Sequence, residues 1–471
     1  MGEAVPVGTA TQRRAAAPSS EPAAVLLATC LASFLTPFTG SALNLAIPAI
    51  GRELHASALT LNWVVSAFLL ASAALLLPFG RLADIHGRGR IFLAGTLAHS
   101  ATAAAAVFVS SAPALVALRA LQGASGALMF ATGVALLTGA FPKESRGRVL
   151  GINTAAVYTG LSLGPVAGGW LTELWGWRSI FGASAGLGLI AAAAGRRIGR
   201  ESRGAPGAGF DVAAALLYAA SLAAFLGGAA ELGRGWQRAW VPALGAVGLA
   251  AFVWREAASR RPLLDVRLFA GSAFAFSNLA ALIHYSATFA VGFLLSLYLQ
   301  TMRGLDARSA GLVLLVQPVL MALLSPPAGR LSDRVEPRFV ASAGMALTAL
   351  GLVLFAGLAS DTSLGQVVAG LFLIGVGFAL FSSPNTNAVM TAVPRESYGV
   401  AAATLGTMRT VGQAASLALV GFVLGRIVGD SALGPESVPR LLRAMQVTFG
   451  VFAGLCLLGT AASLARGSLR S

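Results

Sequence analysis

The amino-acid sequence predicts an all-α membrane protein with fourteen transmembrane helices, arranged as two six-helix bundles with two additional linker helices between them. The chain of 471 residues is 56% hydrophobic and only 11% charged. Apolar runs of membrane-spanning length recur along it, and two blocks of the first half return in the second. An average soluble domain has about 25% charged residues, so this chain lacks the polar surface of a soluble protein.

The spans follow from the thickness of the bilayer, because a hydrocarbon core of roughly 30 Å requires about 20 apolar residues per helix. Breaking the sequence at charged and Gly/Pro-rich stretches groups the predicted spans as six, two and six, near residues 23–49, 60–79, 91–110, 113–136, 148–171, 178–195, then 210–230, 239–256, then 272–300, 308–327, 338–358, 363–388, 397–425 and 444–465. The predicted organisation is an N-terminal cytoplasmic tail (1–22), an N-terminal six-helix bundle (23–198), a linker with the two additional helices (199–262), a C-terminal six-helix bundle (263–466) and a cytoplasmic tail (467–471).

The net charge of +15, from 33 basic and 18 acidic residues, predicts the orientation. If the N-terminus is cytoplasmic, the inner loops and tails hold 22 of the basic residues and the outer loops hold 9. This asymmetry satisfies the positive-inside rule, and it predicts a multi-pass protein of the plasma membrane with both termini in the cytoplasm. Nucleic acid is excluded as a partner, because the basic residues are scattered between apolar runs rather than clustered on a water-soluble face.

An internal repeat relates the two predicted bundles. The block Pro78–Asp84 returns as Pro327–Asp333, and the block Ala140–Gly147 returns as Ala392–Gly399. The two offsets are nearly equal, and both copies of each block fall in predicted cytoplasmic loops. The halves are therefore expected to be parallel repeats, a common basis of membrane transport folds.

The segment Gly80–Arg90 joins the second and third predicted spans. Its glycines permit a tight turn, and its carboxylate is placed to cap a helix or pair with arginine. We therefore predict a breakable cytoplasmic latch, formed by Gly80, Arg81, Asp84, Gly87, Arg88, Arg90 and, in the second copy, Asp333. An ordinary basic loop would explain the arginines, but neither the order of the residues nor its repetition.

Three further motifs extend the pattern: Arg119–Gly126 has the form Arg-x-x-Gln-Gly, Gly160–Gly169 has the form Gly-x-x-x-Gly-Pro-x-x-Gly-Gly, and Trp175–Phe181 is an aromatic-arginine turn. With the latch segment and the six-two-six spans, they resemble the major facilitator superfamily, in particular its fourteen-span drug:proton antiporters. The resemblance covers residues 23–466. It implies the major facilitator fold and export of small hydrophobic or drug-like molecules by proton antiport, through alternating access of the two bundles.

Two of these motifs also have a physical interpretation. An arginine near the bilayer centre costs about 2.5–3.5 kcal/mol on insertion scales, so Arg119 is expected to face the bundle interior, with Gln122 on the same helical face. The alternative is that Arg119 extends to the interface. In the fifth span, Gly160, Gly164 and Gly168 form a smooth ridge for close helix packing, Pro165 adds a bend, and Gly169 completes the motif, which the family associates with export.

The sequence departs from the family where members carry a carboxylate early in the first span. Thr39 stands at that position, although Asn44 and Pro48 fit the pattern. All eighteen acidic residues fall in predicted tails, loops or span ends. A mechanism in which a buried carboxylate attracts cations and carries protons is therefore in doubt.

The remaining polar side chains of the spans are the candidates for coupling and cavity contacts. The ordinary pKa of a histidine lies in a useful pH range, so His284 is a candidate, with Tyr285 beside it and Asn278 seven residues before that tyrosine. Arg409, together with Arg119, would make a cavity positive and favour neutral or anionic substrates. The alternative for His284, and for His99, is a hydrogen-bonded histidine in helix packing. Asn385 is equally compatible with a cavity contact and with helix packing.

The sequence thus predicts a transporter rather than an enzyme, with no catalytic residues, metal or cofactor. Its expected partners are a small-molecule substrate, protons and the lipid bilayer, and it is expected to be a monomer. The main alternative is a dedicated exporter of a neutral or anionic metabolite with weak or no proton coupling. Uptake by a related fold is disfavoured by the motif of the fifth span. A membrane-embedded enzyme or sensor is disfavoured because no cluster of His, Asp, Glu or Cys is evident.

Overall fold

The computed structural model describes residues 21–141, 146–196, 198, 210–259, 262–264, 266–394, 398–429 and 437–467. In these residues the chain folds into α-helices joined by short turns, and the sixteen described helices are α1 (Glu21–Glu53), α2 (Ala58–His86), α3 (Arg88–Val107), α4 (Ala112–Ala140), α5 (Arg146–Trp175), α6 (Arg178–Gly195), α7 (Val212–Glu231), α8 (Trp240–Ala258), α9 (Ser272–Thr288), α10 (Val291–Leu297), α11 (Ala307–Leu314), α12 (Val316–Arg334), α13 (Pro337–Ala356), α14 (Leu364–Thr391), α15 (Tyr398–Ile427) and α16 (Val438–Ala465).

Twelve of the described helical segments are long and apolar enough to cross a membrane by length and composition. Among them, α9 and α10 form one continuous span that a π-helical turn at Tyr298–Met302 extends, and α11 and α12 form another. Helices α3 and α5, of 20 and 30 residues, complete the fourteen. The all-α fold and the predicted order of six, two and six spans are therefore confirmed.

Helices α1–α6 form an N-terminal bundle, α9–α16 form a C-terminal bundle, and α7 and α8 lie between them in the chain. Because the number of crossings is even, the start of α1 and the end of α16 lie at the same side of the molecule. We call this the terminal side, and the opposite side, where α1 ends and α2 begins, the distal side.

The segment Gly80–Arg90 is more helical than the sequence prediction of a loop. Helix α2 continues to His86 and α3 starts at Arg88, so that only Gly87, with a φ of 98°, forms the turn. A glycine adopts this conformation without steric penalty, and the residues on either side of it keep their helical hydrogen bonds. Asp84 therefore pairs with an arginine rather than capping a helix.

The two linker helices are held together at the terminal side by an aspartate. The Asp211 carboxylate caps α7 by accepting a hydrogen bond from the Ala214 amide at 2.9 Å, and it pairs with Arg255 of α8 at 2.8 Å. The pKa of Asp211 lies below its ordinary value, mainly because of the hydrogen bond from the Ala214 amide and secondly because of the hydrogen bond from Arg255.

A glycine ridge on α5 lets this helix lie directly against α1. A Cβ atom at Gly164 would lie 2.9 Å from the Phe38 carbonyl oxygen, and one at Gly168 would lie 2.6 Å from the Ala42 Cβ. Real Cβ atoms do not approach other atoms this closely, so the helix spacing depends on the absence of side chains along the ridge. The same helix carries the proline of the motif, Pro165, within its length.

Substitution of the ridge should loosen the N-terminal bundle. We expect Gly168→Ala to destabilise the purified protein by about 1–3 kcal/mol, because the added methyl group must push α1 and α5 apart. Gly182→Ala on α6 is the matched control, since nothing lies within 4 Å of a Cβ there. A thermal unfolding midpoint in detergent that falls equally for both variants would contradict the packing role.

Candidate functional site

Arg119 lies enclosed between α4 and α2. Its side chain is 2% exposed. Its Nε donates to the Val64 carbonyl oxygen at 3.1 Å and its Nη1 donates to Gln122 Oε1 at 2.7 Å. The guanidinium carbon lies 4.6 Å from the centre of the Phe68 ring. The arginine thus faces the bundle interior rather than the interface, and its charge is solvated by a carbonyl, an amide and an aromatic face.

A chain of polar side chains runs through the N-terminal bundle from Thr39 to α3. The Thr39 hydroxyl donates to the Leu35 carbonyl oxygen at 2.8 Å and lies 3.0 Å from the Ser184 hydroxyl of α6. Ser184 lies 3.5 Å from Nε2 of His99 on α3. All three of these polar side chains are buried.

His284 lies inside the C-terminal bundle, in an aromatic environment. Its ring is 4.1 Å from the Phe381 ring and 5.1 Å from the Phe378 ring, both on α14. The side chain is fully buried, and neither ring nitrogen has a hydrogen-bond partner. His284 of α9 is therefore enclosed against α14, with no polar group within hydrogen-bond distance of its ring nitrogens.

Asn278 and Asn385 are tied into helix packing. Asn278 donates to the Phe274 carbonyl oxygen one turn earlier at 2.9 Å. Asn385 of α14 donates to the Ser277 carbonyl oxygen at 3.1 Å, and its own oxygen accepts a hydrogen bond from Arg466 at 3.3 Å. Arg466 follows α16 directly and is 1% exposed, and this burial lowers its pKa to about 10.

A second polar group lies where the two bundles face each other. Arg409 of α15 lies with its guanidinium carbon 5.9 Å from the centre of the Tyr285 ring on α9. The Tyr285 hydroxyl lies within electrostatic range of Arg409, of Ser382 on α14 and of Tyr158 on α5, a helix of the other bundle. Tyr158, Tyr285, Ser382 and Arg409 are all partly exposed. We call these four residues the central polar cluster.

The two bundles are joined near the distal side. Ser296 of α10 donates to the Asn44 carbonyl oxygen, Gln300 donates to the Leu45 carbonyl oxygen at 3.1 Å, and Asn62 of α2 donates to the Leu417 carbonyl oxygen of α15 at 3.1 Å. These bonds cross from one bundle to the other in the distal halves of the helices.

Helices α5 and α11 add a further contact between the bundles. A Cβ atom at Gly169 would lie 2.6 Å from the Ala307 carbonyl oxygen. The Arg308 guanidinium carbon lies 5.0 Å from the centre of the Trp170 ring. Gly169, the last glycine of the motif in the fifth span, therefore faces the other bundle rather than α1. Together with the hydrogen bonds of the preceding paragraph, these contacts form what we call the distal gate.

The predicted latch residues lie at the terminal side. Asp84 pairs with Arg88 one turn later at 2.8 Å, and the two side chains are 41% and 45% exposed. Arg81 is partly exposed and Arg90 is exposed, while Gly80 lies against Ala131 of α4. Asp333 lies in α12, with its side chain outside the described residues. In this structure the one described carboxylate of the latch is therefore paired within its own segment.

Several residues of these groups could not be chosen from the sequence. Ser184, Tyr158 and Ser382 are ordinary polar residues of apolar spans, and nothing in their spacing distinguishes them. Arg466 is one of several basic residues that directly follow a predicted span, and no pattern in the sequence sets it apart. Trp170 and Arg308 are 138 positions apart in the chain, and no sequence signal connects them.

Comparison with known proteins identifies the family to which this fold corresponds. The sequence profile of the Major Facilitator Superfamily matches residues 29–285, from α1 into α9, and residues 277–468, from α9 through α16. The fold is similar to that of a crystal structure of the peptide transporter POT in complex with sulfate, with a TM-score of 0.68 at 15% identity, over 95% of this chain and 94% of that one.

Three curated relatives are similar over most of the chain. The riboflavin transporter RibZ of Clostridioides difficile (strain 630) is 28% identical, over 92% of this chain and 95% of its own. The multidrug resistance protein Stp of Mycobacterium tuberculosis is 31% identical, over 85% and 75%. The cephamycin export protein CmcT of Amycolatopsis lactamdurans is 32% identical, over 89% and 88%. With these two profile matches and these relatives, the chain belongs to the major facilitator superfamily.

Proposed function

We propose that this protein exports small, largely hydrophobic or drug-like molecules across the plasma membrane by alternating access of its two bundles. The observation that carries the proposal is the distal gate: the bundles join in their distal halves, while the central polar cluster between them stays partly exposed. With the terminal side in the cytoplasm, as the distribution of basic residues favours, this is an arrangement that accepts substrate from inside. The relatives named for multidrug resistance and export support this direction.

Export then requires the distal gate to open while the terminal side closes. The gate consists of small-residue contacts, three hydrogen bonds and a cation–π pair. A hydrogen bond contributes only about 0.5–1.5 kcal/mol net, so binding energy or a proton gradient of a few kcal/mol suffices to shift such an equilibrium. The protein is proposed to work as a monomer, since the two bundles of one chain supply both halves of the pathway.

Proton antiport is proposed from the family resemblance, with histidine in place of the missing carboxylate. In the described spans, acidic residues occur only near helix ends. Thr39 stands at the position at which the family carries its carboxylate, and its hydroxyl is linked through Ser184 to His99. His99 is therefore the candidate proton carrier of the N-terminal bundle, and His284 is the second candidate.

Imposed pH gradients test the coupling. In inverted membrane vesicles, a screen of drug-like dyes should find at least one whose accumulation follows acidification of the vesicle lumen and stops when an ionophore collapses the gradient. His99→Gln should abolish this dependence while leaving downhill exchange of the dye intact, because glutamine retains hydrogen bonding but carries no proton. Accumulation that is unchanged after the gradient collapses would contradict antiport.

The alternative is a dedicated exporter of one neutral or anionic metabolite without proton coupling. It is favoured by the absence of a carboxylate from the middle of the described spans, and by relatives named for a single compound, riboflavin or cephamycin. The vesicle screen distinguishes the two proposals, because a dedicated exporter would ignore the dyes and show no dependence on pH.

Removal of the enclosed arginine should stop transport. We expect Arg119→Ala to lower the transport rate at least about tenfold with expression near normal, because the Val64 carbonyl and the Gln122 amide lose the charge that ties α4 to α2. The control is Arg426→Ala, at the exposed distal end of α15. Transport at the wild-type rate by Arg119→Ala, measured with the same dye, would refute its role.

The latch carboxylate should affect the rate of cycling. Asp84 lies exposed at the side that must close during export, so we expect it to exchange Arg88 for a partner on the other bundle in the closed state. Asp84→Asn should then slow turnover severalfold with little change in the affinity for substrate. Asp361→Asn, in an exposed distal loop, should leave turnover unchanged, and wild-type turnover in Asp84→Asn would count against the latch.

A further inference from the structure

We propose that the central polar cluster is an anion site, and that the protein's substrates are aromatic organic acids held by Arg409. This inference rests on the proposed function, since it names the substrate class of the same pathway. The cluster brings one guanidinium and three hydroxyl groups together, from α5 of one bundle and from α9, α14 and α15 of the other.

The charge balance around Arg409 is the first argument. Its Nε is buried and has no hydrogen-bond partner. The four helices of the cluster carry, among their described residues, one acidic side chain, Glu173, which lies at the distal end of α5. An arginine in the middle of a span costs about 2.5–3.5 kcal/mol on insertion scales. A carboxylate brought in by a substrate would supply the counter-charge that the described parts of these four helices lack near Arg409.

Comparison with the other buried arginines is the second argument. Arg119 uses its Nε to bond Val64 and a terminal nitrogen to bond Gln122, and the Nε of Arg466 donates to the Ser463 carbonyl oxygen at 2.8 Å. The corresponding Nε of Arg409 remains unpaired. Of these three arginines, Arg409 is also the one that is partly exposed. It is therefore the arginine that a ligand entering between the bundles can reach.

The neighbouring groups match an acid with an aromatic body. The hydroxyl groups of Tyr285, Ser382 and Tyr158 can donate hydrogen bonds to carboxylate oxygens, and the two tyrosines also present ring faces. Because Tyr158 belongs to the other bundle, an anion bound here would contact both bundles. Binding would then bias the arrangement of the bundles, as alternating access requires.

Two pairs of ligands, each an aromatic acid and its amide, test whether binding requires the negative charge, without measuring transport. The purified protein in detergent is titrated with 1-naphthoate and 1-naphthamide, and with 9-anthracenecarboxylate and its amide, and affinity is read from thermal stabilisation. We expect each acid to bind about 10- to 100-fold more tightly than its amide. Arg409→Gln should remove this preference and Arg409→Lys should retain part of it, while the affinity for the amides stays constant and reports a folded site.

Equal affinity of acid and amide for the wild-type protein in both pairs would overturn the proposal, and so would a preference that survives in Arg409→Gln. If Arg409→Gln fails to fold, Ser382→Ala and Tyr158→Phe replace it. Each should weaken binding of the acids severalfold and leave the amides unchanged, and no change would again overturn the proposal. An acid preference in a protein that transports nothing would contradict the proposed export but not the anion site.

A separate set of contacts carries a second inference: we propose that the linker helix α7 is part of the distal gate, stays with α2, and separates from α15 when the gate opens. Polar bonds tie α7 to α2. Trp63 Nε1 donates to Glu231 Oε1 at 2.8 Å, and the Tyr218 hydroxyl donates to the Ala73 carbonyl oxygen at 3.1 Å. Glu231 also pairs with Arg234 at 2.7 Å.

The contact of the same segment with α15 is built from small residues. A Cβ atom at Gly421 would lie 3.1 Å from the Ala230 Cβ, and one at Gly425 would lie 2.9 Å from the Gly233 carbonyl carbon. Gly233 itself lies against the Phe422 carbonyl oxygen. Small residues of this kind let two helix backbones approach closely without interlocking side chains.

Helix α7 contacts both α2 and α15, so it cannot stay with both when these two helices separate. Helices α2 and α15 meet directly at the distal gate, through the bond from Asn62 to Leu417. When they separate, α7 must leave one of them. The hydrogen bonds to α2 hold it there, so the small-residue contact with α15 is the surface that parts.

Engineered disulfides test this gate without a substrate. In a background with Cys30→Ser and Cys456→Ala, Ala230→Cys with Gly421→Cys places two Cβ atoms 3.1 Å apart. A small outward shift brings them to the disulfide range of about 3.5–4.5 Å. Ser221→Cys with Gly248→Cys is the control, which joins α7 to α8 only. Ser296→Cys at the buried gate reports opening through its labelling by a membrane-impermeant thiol reagent from the distal side.

We expect the 230–421 disulfide to slow labelling of position 296 at least about tenfold, and reduction with dithiothreitol to restore it. The 221–248 disulfide should leave the rate within about twofold of the unlinked protein. Unchanged labelling with the 230–421 disulfide would overturn the proposal, as would equal slowing by the control. Absence of labelling in the reduced protein would also overturn it, because the gate would then not open.

Discussion

The cost of charge in the hydrocarbon core is the constraint on which this structure depends. In the described spans, carboxylates lie near helix ends, where water or headgroups reach them, whereas arginines occur inside. Arg119 meets the constraint within the protein, through a carbonyl oxygen, an amide oxygen and an aromatic face. Arg409 meets it only in part. This difference separates a structural arginine from one that is available to a ligand.

Close packing of small residues is the second physical theme, because it serves both rigid and movable contacts. On α5, Gly164 and Gly168 fix the helix against α1 within one bundle. Gly169, one residue further on, faces α11 of the other bundle, and Gly421 lies beside the linker helix α7. Without a hydrophobic driving force between helices in lipid, such contacts are held by van der Waals packing. We propose that the contacts between bundles part and re-form during transport, whereas those within a bundle stay closed.

Much of the fold could be predicted from the sequence, because hydrophobic length and charge are local properties. The order of spans, the repeat and the inward face of Arg119 follow from such patterns. The latch segment was predicted as a loop, and it is helical on both sides of Gly87, since a single glycine suffices for the turn. Periodicity gives the face on which a residue lies but not the helix it meets. For this reason the partners of Asn385 and Thr39, and the gate contact of Trp170, required the structure.

A structure of the protein with a bound aromatic carboxylate, determined by electron cryomicroscopy, would test the central claim most directly. Our account predicts ligand density between the bundles, with carboxylate oxygens within about 3.2 Å of the Arg409 guanidinium nitrogens. It also predicts contact with Tyr285 on one bundle and Tyr158 on the other. Density for the acid at any other place, with Arg409 left unpaired, would contradict the account.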